Sequence, residues 1–282
     1  MASARIVHIR CIRISFQKSP EMKRATPVLL IRKDDIACIT LNRPDVLNTI
    51  NKQMLELLSH LLAALRSDDT VRGVIITGAG EKAFSAGADI SFFSTASPHE
   101  VRNRALLAVE TFSLIENLGK PVIAAINGYA LGGGLELAEA CMMRVAVNTA
   151  KLGHPEVKIG AVAGWGGTTR LPRLIGKGRA AEMLLTGKMI SAEDALNIGL
   201  VSRVVDPGSL MQEAESMLKE ILDQAPVAVM LTWEAMHRGL NMSLDESARL
   251  GADYFGIVAA TEDFKEGTKS FIAKKKPVFK GK

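Results

Sequence analysis

The chain changes character once along its length, and this change limits the folds open to it. Up to about residue 207, short β-branched runs alternate with helical periods, whereas only helical periods follow. The runs 74–77 (VIIT) and 121–126 (PVIAAI) are almost wholly apolar, which is typical of buried strands. Strands that alternate with helices predict an α/β core, and the remaining helices predict a helical C-terminal module.

Local signals place individual elements within this plan. Residues 28–31 and 37–41 predict a strand pair around the turn RKDD, and apolar residues at helical spacing predict a helix over 54–65. In the C-terminal part, an apolar stripe predicts a helix over 210–222. Pro226 can open the next helix, and Ser243 to Glu246 matches a capping box before another.

Size and cysteine usage exclude several protein classes. With 282 residues, 48% of them hydrophobic, the chain has the composition of an ordinary globular protein. No apolar run approaches the roughly 18 residues that a membrane-spanning helix needs, so no membrane association is expected. The three cysteines, Cys11, Cys38 and Cys141, have no CxxC spacing, which argues against a disulfide framework or zinc site and suits a reducing compartment.

The positive charge is confined to the N-terminal tail. The net charge is +5, and residues 1–25 hold six of the 35 basic and one of the 30 acidic residues, which leaves 29 of each elsewhere. Such a tail resembles an organellar transit peptide, but an overlong reading frame with its true start at Met22 explains it equally well. We expect 1–25 to be a disordered extension. Because the body is neutral, nucleic acid is not an expected partner.

Common cofactor motifs are absent. The glycine-rich stretches do not fit G-x-G-x-x-G, and neither the P-loop pattern nor HExxH occurs. The hydrolase motif G-x-S-x-G fails because Ala83 stands at its first glycine. The histidines have no ligand spacing; they are His8, His60, His99, His154 and His237. The sequence therefore predicts neither a metal centre nor a nucleotide site.

Two glycine- and alanine-rich turns each follow a strand and open a helix. The first is Phe84–Ile90, in which the N–H groups of Ala86 and Gly87 can approach a ligand and Asp89 can cap the next helix. The second is Gly132–Gly134. If the turns face one another, their N–H groups form an oxyanion hole, whose donors are each worth about 3 to 4 kcal/mol in catalysis.

Two glutamates accompany these turns. Glu136, in the first turn of the helix after the glycines, either complements the helix dipole or is an active-site carboxylate. Glu156 follows a proline in a predicted loop, where it is either a solvated surface residue or the second carboxylate.

Six segments, in order, resemble the crotonase superfamily and specifically the enoyl-CoA hydratases. The resemblance covers about residues 26–282. The segments are LNRP (41–44), AFSAGADI (83–90), PVIAAINGYALGGGLELA (121–138), KLGHPEVKIG (151–160), GWGGTTRLPRLIG (164–176) and EGTKSFIAKKKPVF (266–279).

The resemblance implies a particular architecture. It implies a crotonase-like spiral of ββα units over 26–207, followed by a helical trimerisation module over 208–282. It also implies a homotrimer or a hexamer of paired trimers. A cytoplasmic location would fit, with the mitochondrial matrix as the alternative if the tail is a transit peptide.

The resemblance also implies a reaction and a set of site residues. The N–H groups of Ala86 and Gly133 would hold the thioester oxygen of an acyl-CoA, and Gly132 and Gly134 would admit the thioester. Glu136 would activate a water molecule as base, and Glu156 would exchange the C2 proton as acid. No metal or redox cofactor is implied, because coenzyme A is part of the substrate. Substrate contacts are implied for Val46, Leu47, Gly87, Ala88, Asp89, Ile90, Gly132, Trp165 and Lys274.

The presence of both glutamates favours hydration of 2-trans-enoyl-CoA over the alternatives. A Δ3,Δ2-enoyl-CoA isomerase of the same superfamily can work with one carboxylate, commonly at the Glu156 position. Another acyl-CoA lyase of the superfamily is a further alternative. A more distant alternative is an RNA-binding protein, which only the basic tail supports.

Overall fold

The first layer of the fold is a six-stranded sheet. The computed structural model describes residues 26–282, so the predicted extension over 1–25 lies outside the described residues. The strands lie in the order β1-β2-β3-β5-β7-β10, where β1 and β2 pair antiparallel and every other pair is parallel. Their bounds are β1 Val28–Lys33, β2 Ile36–Leu41, β3 Gly73–Gly78, β5 Val122–Ile126, β7 Met143–Val147 and β10 Arg203–Val205.

A second sheet has four strands in the order β4-β6-β8-β9. The pairs β4-β6 and β6-β8 are parallel, and β9 closes the sheet antiparallel to β8. The bounds are β4 Ala83–Ser85, β6 Tyr129–Leu131, β8 Lys151–Gly153 and β9 Met189–Ser191.

Helices follow these strands in a regular pattern. The pairs β3-β4, β5-β6 and β7-β8 each give one strand to each sheet and then lead into helical structure, so the chain winds as a spiral of ββα units, as predicted. The α-helices are α1 Lys52–Arg66, α2 Ile90–Phe93, α3 Pro98–Glu116, α4 Gly133–Glu139, α5 Gly167–Ile175, α6 Lys177–Thr186, α7 Ala192–Asn197, α8 Leu210–Leu222, α9 Pro226–Gly239, α10 Leu244–Ala259 and α11 Glu262–Ile272.

The local signals in the sequence are confirmed. The β1–β2 pair turns at Asp34, whose φ of +54° fits a tight turn. The helix predicted from residue 54 begins two residues earlier, because the side chain of Asn51 accepts the backbone N–H of Met54 and caps it. Pro226 stands at the start of α9, and Ser243 forms the predicted capping box with Glu246.

The chain divides into two compact units after Glu215, within α8, whereas the sequence placed the boundary at 207/208. Polar contacts explain why the start of α8 belongs with the first unit. Glu213 pairs with Arg203, and Glu215 accepts a hydrogen bond of 2.8 Å from Lys33 on β1. The second unit, 216–282, contains the end of α8 and the helices α9 to α11. Over residues 26–282, no helix has the length and apolarity needed to cross a membrane.

The spiral brings three turns to one edge. Because β4, β6 and β8 are parallel neighbours, their carboxyl ends meet at the same edge of the second sheet. The turns that leave this edge contain Ala86–Asp89 after β4, Gly132–Gly134 after β6 and His154–Glu156 after β8. Residues far apart in sequence therefore meet at one place.

Candidate active site

Each of the three consecutive glycines is required by a different neighbour. A Cβ on Gly132, where φ is +48°, would lie 2.8 Å from Oε1 of Glu156. A Cβ on Gly133 would lie 2.6 Å from the ring of Trp165. A Cβ on Gly134 would overlap the carbonyl oxygen of Ser85 at the end of β4. The prediction that Gly134 admits a ligand is therefore wrong, since this glycine allows α4 to pack against β4.

The predicted oxyanion donor at Ala86 is also wrong. The N–H of Ala86 donates to the carbonyl oxygen of Leu47 at 2.9 Å, and the N–H of Gly87 donates to Oγ of Ser85 at 3.2 Å. Neither group is left for a ligand.

The next alanine has the geometry that Ala86 lacks. Ile50 forms hydrogen bonds with both neighbours of Ala88. Its N–H donates to the carbonyl oxygen of Gly87, and its carbonyl oxygen accepts the N–H of Asp89. In extended backbone the N–H of Ala88 then points to the opposite side. Its amide nitrogen is 3.4 Å from the Cβ position of Gly133. Among residues 26–282, nothing accepts a hydrogen bond from the N–H of Ala88 or from that of Gly133, the first of α4.

Glu136 is a buried carboxylate held by two backbone donors. Only 2% of the residue is exposed, and Oε1 accepts the N–H of Trp165 at 2.7 Å and that of Gly167 at 2.8 Å. Burial raises the pKa of Glu136 to about 7 in spite of these bonds. Both bonds go to one oxygen, so Oε2 can accept another donor, such as a water molecule.

Glu156 opens the 3₁₀-helix Glu156–Ile159 and lies against the glycine turn. Its side chain is 16% exposed, and its Oε2 is buried without a hydrogen-bond partner in the described chain. The charge of Glu156 contributes to the raised pKa of Glu136, so the two carboxylates share one electrostatic site. The structure therefore brings both predicted glutamates together beside Gly132.

Trp165 forms a wall of this site and is fixed at several points. The residue is buried, and its ring meets that of Phe112 edge-on at 6.1 Å. Its carbonyl oxygen accepts Nη1 of Arg170 at 3.1 Å. Arg170 in turn makes a two-pronged ion pair with Glu116, at 2.8 and 2.7 Å. The indole therefore lies over Gly133 in a position set by α3 and α5.

The residues expected to contact coenzyme A lie nearer the surface. Val46 is 45% exposed and Ile90 is 54% exposed, and Leu47 follows a short 3₁₀-helix with a φ of +53°. Lys274, also with positive φ, follows α11 in the C-terminal unit.

Asp89 does not act as the predicted helix cap. Its Oδ1 accepts the hydroxyl of Ser91 at 2.7 Å and its Oδ2 accepts Arg43 at 3.1 Å, and no capping bond from its side chain to α2 forms. The Ser91 hydroxyl and the Arg43 charge lower the pKa of Asp89. Asp89 thus ties the first turn to the LNRP loop.

Two site residues escaped the sequence analysis. His154 is 1% exposed, with Nε2 2.8 Å from Oε1 of Glu139 and Nδ1 3.7 Å from Oε1 of Glu156. Glu139 lies on α4, three residues after Glu136. The available signal was a second acid, Glu139, in the mostly apolar run 135–140 (LELAEA), because an acid that is buried in a helix needs a partner.

Comparisons with known proteins agree with this geometry. A family model described as enoyl-CoA hydratase/isomerase matches residues 32–282. The crotonyl-CoA hydratase of Syntrophomonas wolfei is 42% identical, over 89% of this chain and 97% of that protein. The short-chain-enoyl-CoA hydratase of Clostridium acetobutylicum is also 42% identical, over 88% of this chain and 95% of that protein. The crystal structure of an enoyl-CoA hydratase from Bacillus anthracis superposes with a TM-score of 0.87 at 38% identity, and it covers 91% of this chain and 100% of its own.

Proposed function

The chain belongs to the enoyl-CoA hydratase/isomerase family, and on that premise we propose that it hydrates 2-trans-enoyl-CoA thioesters to 3-hydroxyacyl-CoA. The observation that carries this proposal is the pairing of Glu136 and Glu156 beside two unbonded backbone N–H groups. One carboxylate suffices to move a proton, but addition of water requires one group for the water and another for C2.

The reaction follows from the position of each group. The N–H groups of Ala88 and Gly133 hold the thioester oxygen and stabilise the enolate that develops on it. Glu136 takes a proton from the water whose oxygen bonds to C3, and the raised pKa of this carboxylate favours that uptake. Glu156 gives a proton to C2, which completes the addition of H and OH. Proton exchange with solvent water then restores the two carboxyl groups.

Coenzyme A itself would bind along the more exposed residues. The exposed side chains of Val46 and Ile90, together with the backbone at Leu47, Gly87 and Asp89, support a path for the nucleotide and the pantetheine arm. A contact of Lys274 with the CoA phosphate rests on the family resemblance alone. The proposed reaction uses no metal or redox cofactor, since N–H donors and carboxylates supply its chemistry.

Assembly and location are proposals of the same kind. We propose a homotrimer or a hexamer of paired trimers, which the exposed apolar residues of the C-terminal unit support. Phe255 is 66% exposed and Phe271 is 84% exposed, and large exposed apolar faces often mark interfaces. The free thiols of Cys38 and Cys141 support a reducing compartment such as the cytoplasm.

Hydration and isomerisation are separated by one assay. The purified protein should remove the enoyl absorbance of crotonyl-CoA and give 3-hydroxybutyryl-CoA by mass spectrometry. The double variant Glu136→Gln/Glu156→Gln controls for contaminating host enzymes. If the wild type left crotonyl-CoA and longer 2-enoyl-CoA unchanged but shifted the double bond of 3-enoyl-CoA, isomerisation would replace hydration as its function.

A backbone substitution tests the oxyanion donor. Replacement of Ala88 by lactic acid, which puts an ester oxygen in place of the N–H, should lower kcat/KM by about 10²- to 10³-fold. The same replacement at Ala86 removes the bond to Leu47 and should lower stability by about 1 kcal/mol while hydration continues. A rate loss at position 86 and none at position 88 would return the donor role to Ala86.

A further inference from the structure

A buried ionisable pair lies behind the two catalytic glutamates and has no part in the reaction described above. The side chains of Glu139 and His154 are both fully buried, and they meet at 2.8 Å. Burial of ionisable groups destabilises a fold unless they pair, and apolar side chains fill such a space at lower cost. The pair is therefore expected to have a function in the site that it borders.

The orientation of the imidazole links this pair to Glu156. Glu139 holds Nε2, so the opposite ring nitrogen, Nδ1, faces Oε1 of Glu156 at 3.7 Å. This separation suits an ion pair but is longer than a hydrogen bond. Within residues 26–282, neither Nδ1 of His154 nor Oε2 of Glu156 has a hydrogen-bond partner. A movement of less than about 1 Å would join Nδ1 to the carboxylate.

The charges around His154 favour its protonated form. Glu136 and Glu139 on α4 and Glu156 on the 3₁₀-helix act on it, and Arg144 on β7 and Arg170 on α5 act in turn on Glu139. Burial alone lowers the pKa of His154, but the charge of Glu139 and the interactions with Glu156 outweigh burial and raise it above the ordinary value. The acidic neighbours therefore favour the imidazolium over the neutral ring.

We propose that His154, held at Nε2 by Glu139, is a positioning residue for Glu156. Its Nδ1–H holds the Glu156 carboxylate against Gly132, and its charge stabilises the negative charge that Glu156 gains when it gives a proton to C2. The role rests on the proposed hydration. It also gives the two glutamates different surroundings, since Glu136 is buried and Glu156 lies beside the imidazole of His154.

Two conservative variants separate charge from packing. Glu139→Gln keeps a hydrogen-bond partner at Nε2 but removes the charge that keeps the ring protonated. His154→Gln keeps a polar side chain that is neutral at every pH. His60→Gln, on the exposed face of α1, is the matched control. For each protein, kcat and KM for crotonyl-CoA are measured between pH 5.5 and 9, and folding is checked by circular dichroism.

Both variants should lower kcat at pH 8 by about 10- to 100-fold with KM within about threefold of wild type. The distinguishing result is the ratio of kcat for Glu139→Gln to kcat for the wild type, followed across this pH range. This ratio should rise toward the acidic end of the range, because the imidazole then binds a proton without help from Glu139. The corresponding ratio for His154→Gln should show no such rise, since nothing there can regain the charge.

Other results would overturn the role. If kcat of Glu139→Gln lies within about threefold of the wild type, or is reduced by the same factor at every pH, the charge of His154 is not used in the reaction. The Glu139→Gln result tests the role of His154 even if His154→Gln fails to fold. Absence of hydration in the wild type would overturn the proposed function and this role together, whereas hydration with a flat ratio would overturn the role alone.

Discussion

Glu136→Gln should lower kcat for crotonyl-CoA by about 10³- to 10⁴-fold, because an amide cannot take the proton of the attacking water. The fold around it should survive, since the amide oxygen can still accept the N–H groups of Trp165 and Gly167. Exchange of the C2 hydrogens of butyryl-CoA for deuterium needs no water addition, so this variant should retain exchange. Glu156→Gln should lose both reactions. Hydration above about a tenth of the wild-type rate would exclude Glu136 as the base.

The same variant should be more stable than the wild type. The pKa of Glu136 rises from 4.5 in the unfolded chain to about 7 in the fold, so the protonated form is the one that folding favours. The associated stability is present below about pH 4.5 and is lost as the pH rises through about 7. Glutamine removes this loss. Its advantage should therefore be about 1 to 3 kcal/mol at pH 8 and should vanish near pH 4.5.

Thermal melts between pH 5 and 8 measure this advantage. Glu110→Gln, at an exposed position of α3, is the control and should change neither stability nor rate. A Glu136→Gln variant that melts below the wild type at pH 8 would show that the buried charge is not a cost to the fold. Greater stability with lost activity would show that the site retains a destabilising carboxylate for its chemistry.

The sequence predicted those features of the fold that depend on local pattern. The alternation of apolar strands and helical periods predicted the α/β core, the family resemblance predicted its ββα spiral, and Pro226 and Ser243 stand at helix starts as predicted. The family resemblance predicted that Glu136 and Glu156 belong to one site, and the structure brings them together because each lies just after a strand of the second sheet. Parallel order of those strands was enough to bring the two turns together.

The features that the sequence analysis missed depend on contacts between distant residues. Whether Ala86 or Ala88 offers a free N–H is decided by distant partners, because Leu47 accepts the N–H of Ala86 and the pairing with Ile50 turns the N–H of Ala88 to the other side. His154 was dismissed because histidines were sought at ligand spacing, whereas its partner Glu139 lies 15 residues away. Gly134 was assigned to ligand access, but its neighbour is the backbone of β4.

Alanine substitutions of neighbouring glycines should fail in different ways. In Gly133→Ala the new methyl group would lie 2.6 Å from the Trp165 ring and 3.4 Å from the Ala88 nitrogen. The ring is buried against Phe112 and can move only by displacing its neighbours, so we expect a folded protein that is destabilised by about 1 to 3 kcal/mol. The methyl group then occupies the space between the two oxyanion donors, and kcat/KM should fall by about 10³-fold or more.

In Gly134→Ala the methyl group instead meets the carbonyl oxygen of Ser85, which belongs to β4 and cannot move without its sheet. This variant should lose about 3 kcal/mol or more, and it should be recovered as insoluble or loosely packed protein. Gly178→Ala is the matched control, because its methyl group on α6 meets nothing within 4 Å and should add about 0.5 to 1 kcal/mol. Solubility, thermal melts and crotonyl-CoA hydration separate the three outcomes. If Gly133→Ala is folded but inactive and Gly134→Ala is unfolded, Gly133 belongs to the oxyanion hole and Gly134 to packing. If Gly133→Ala is active, the oxyanion hole does not lie at this turn.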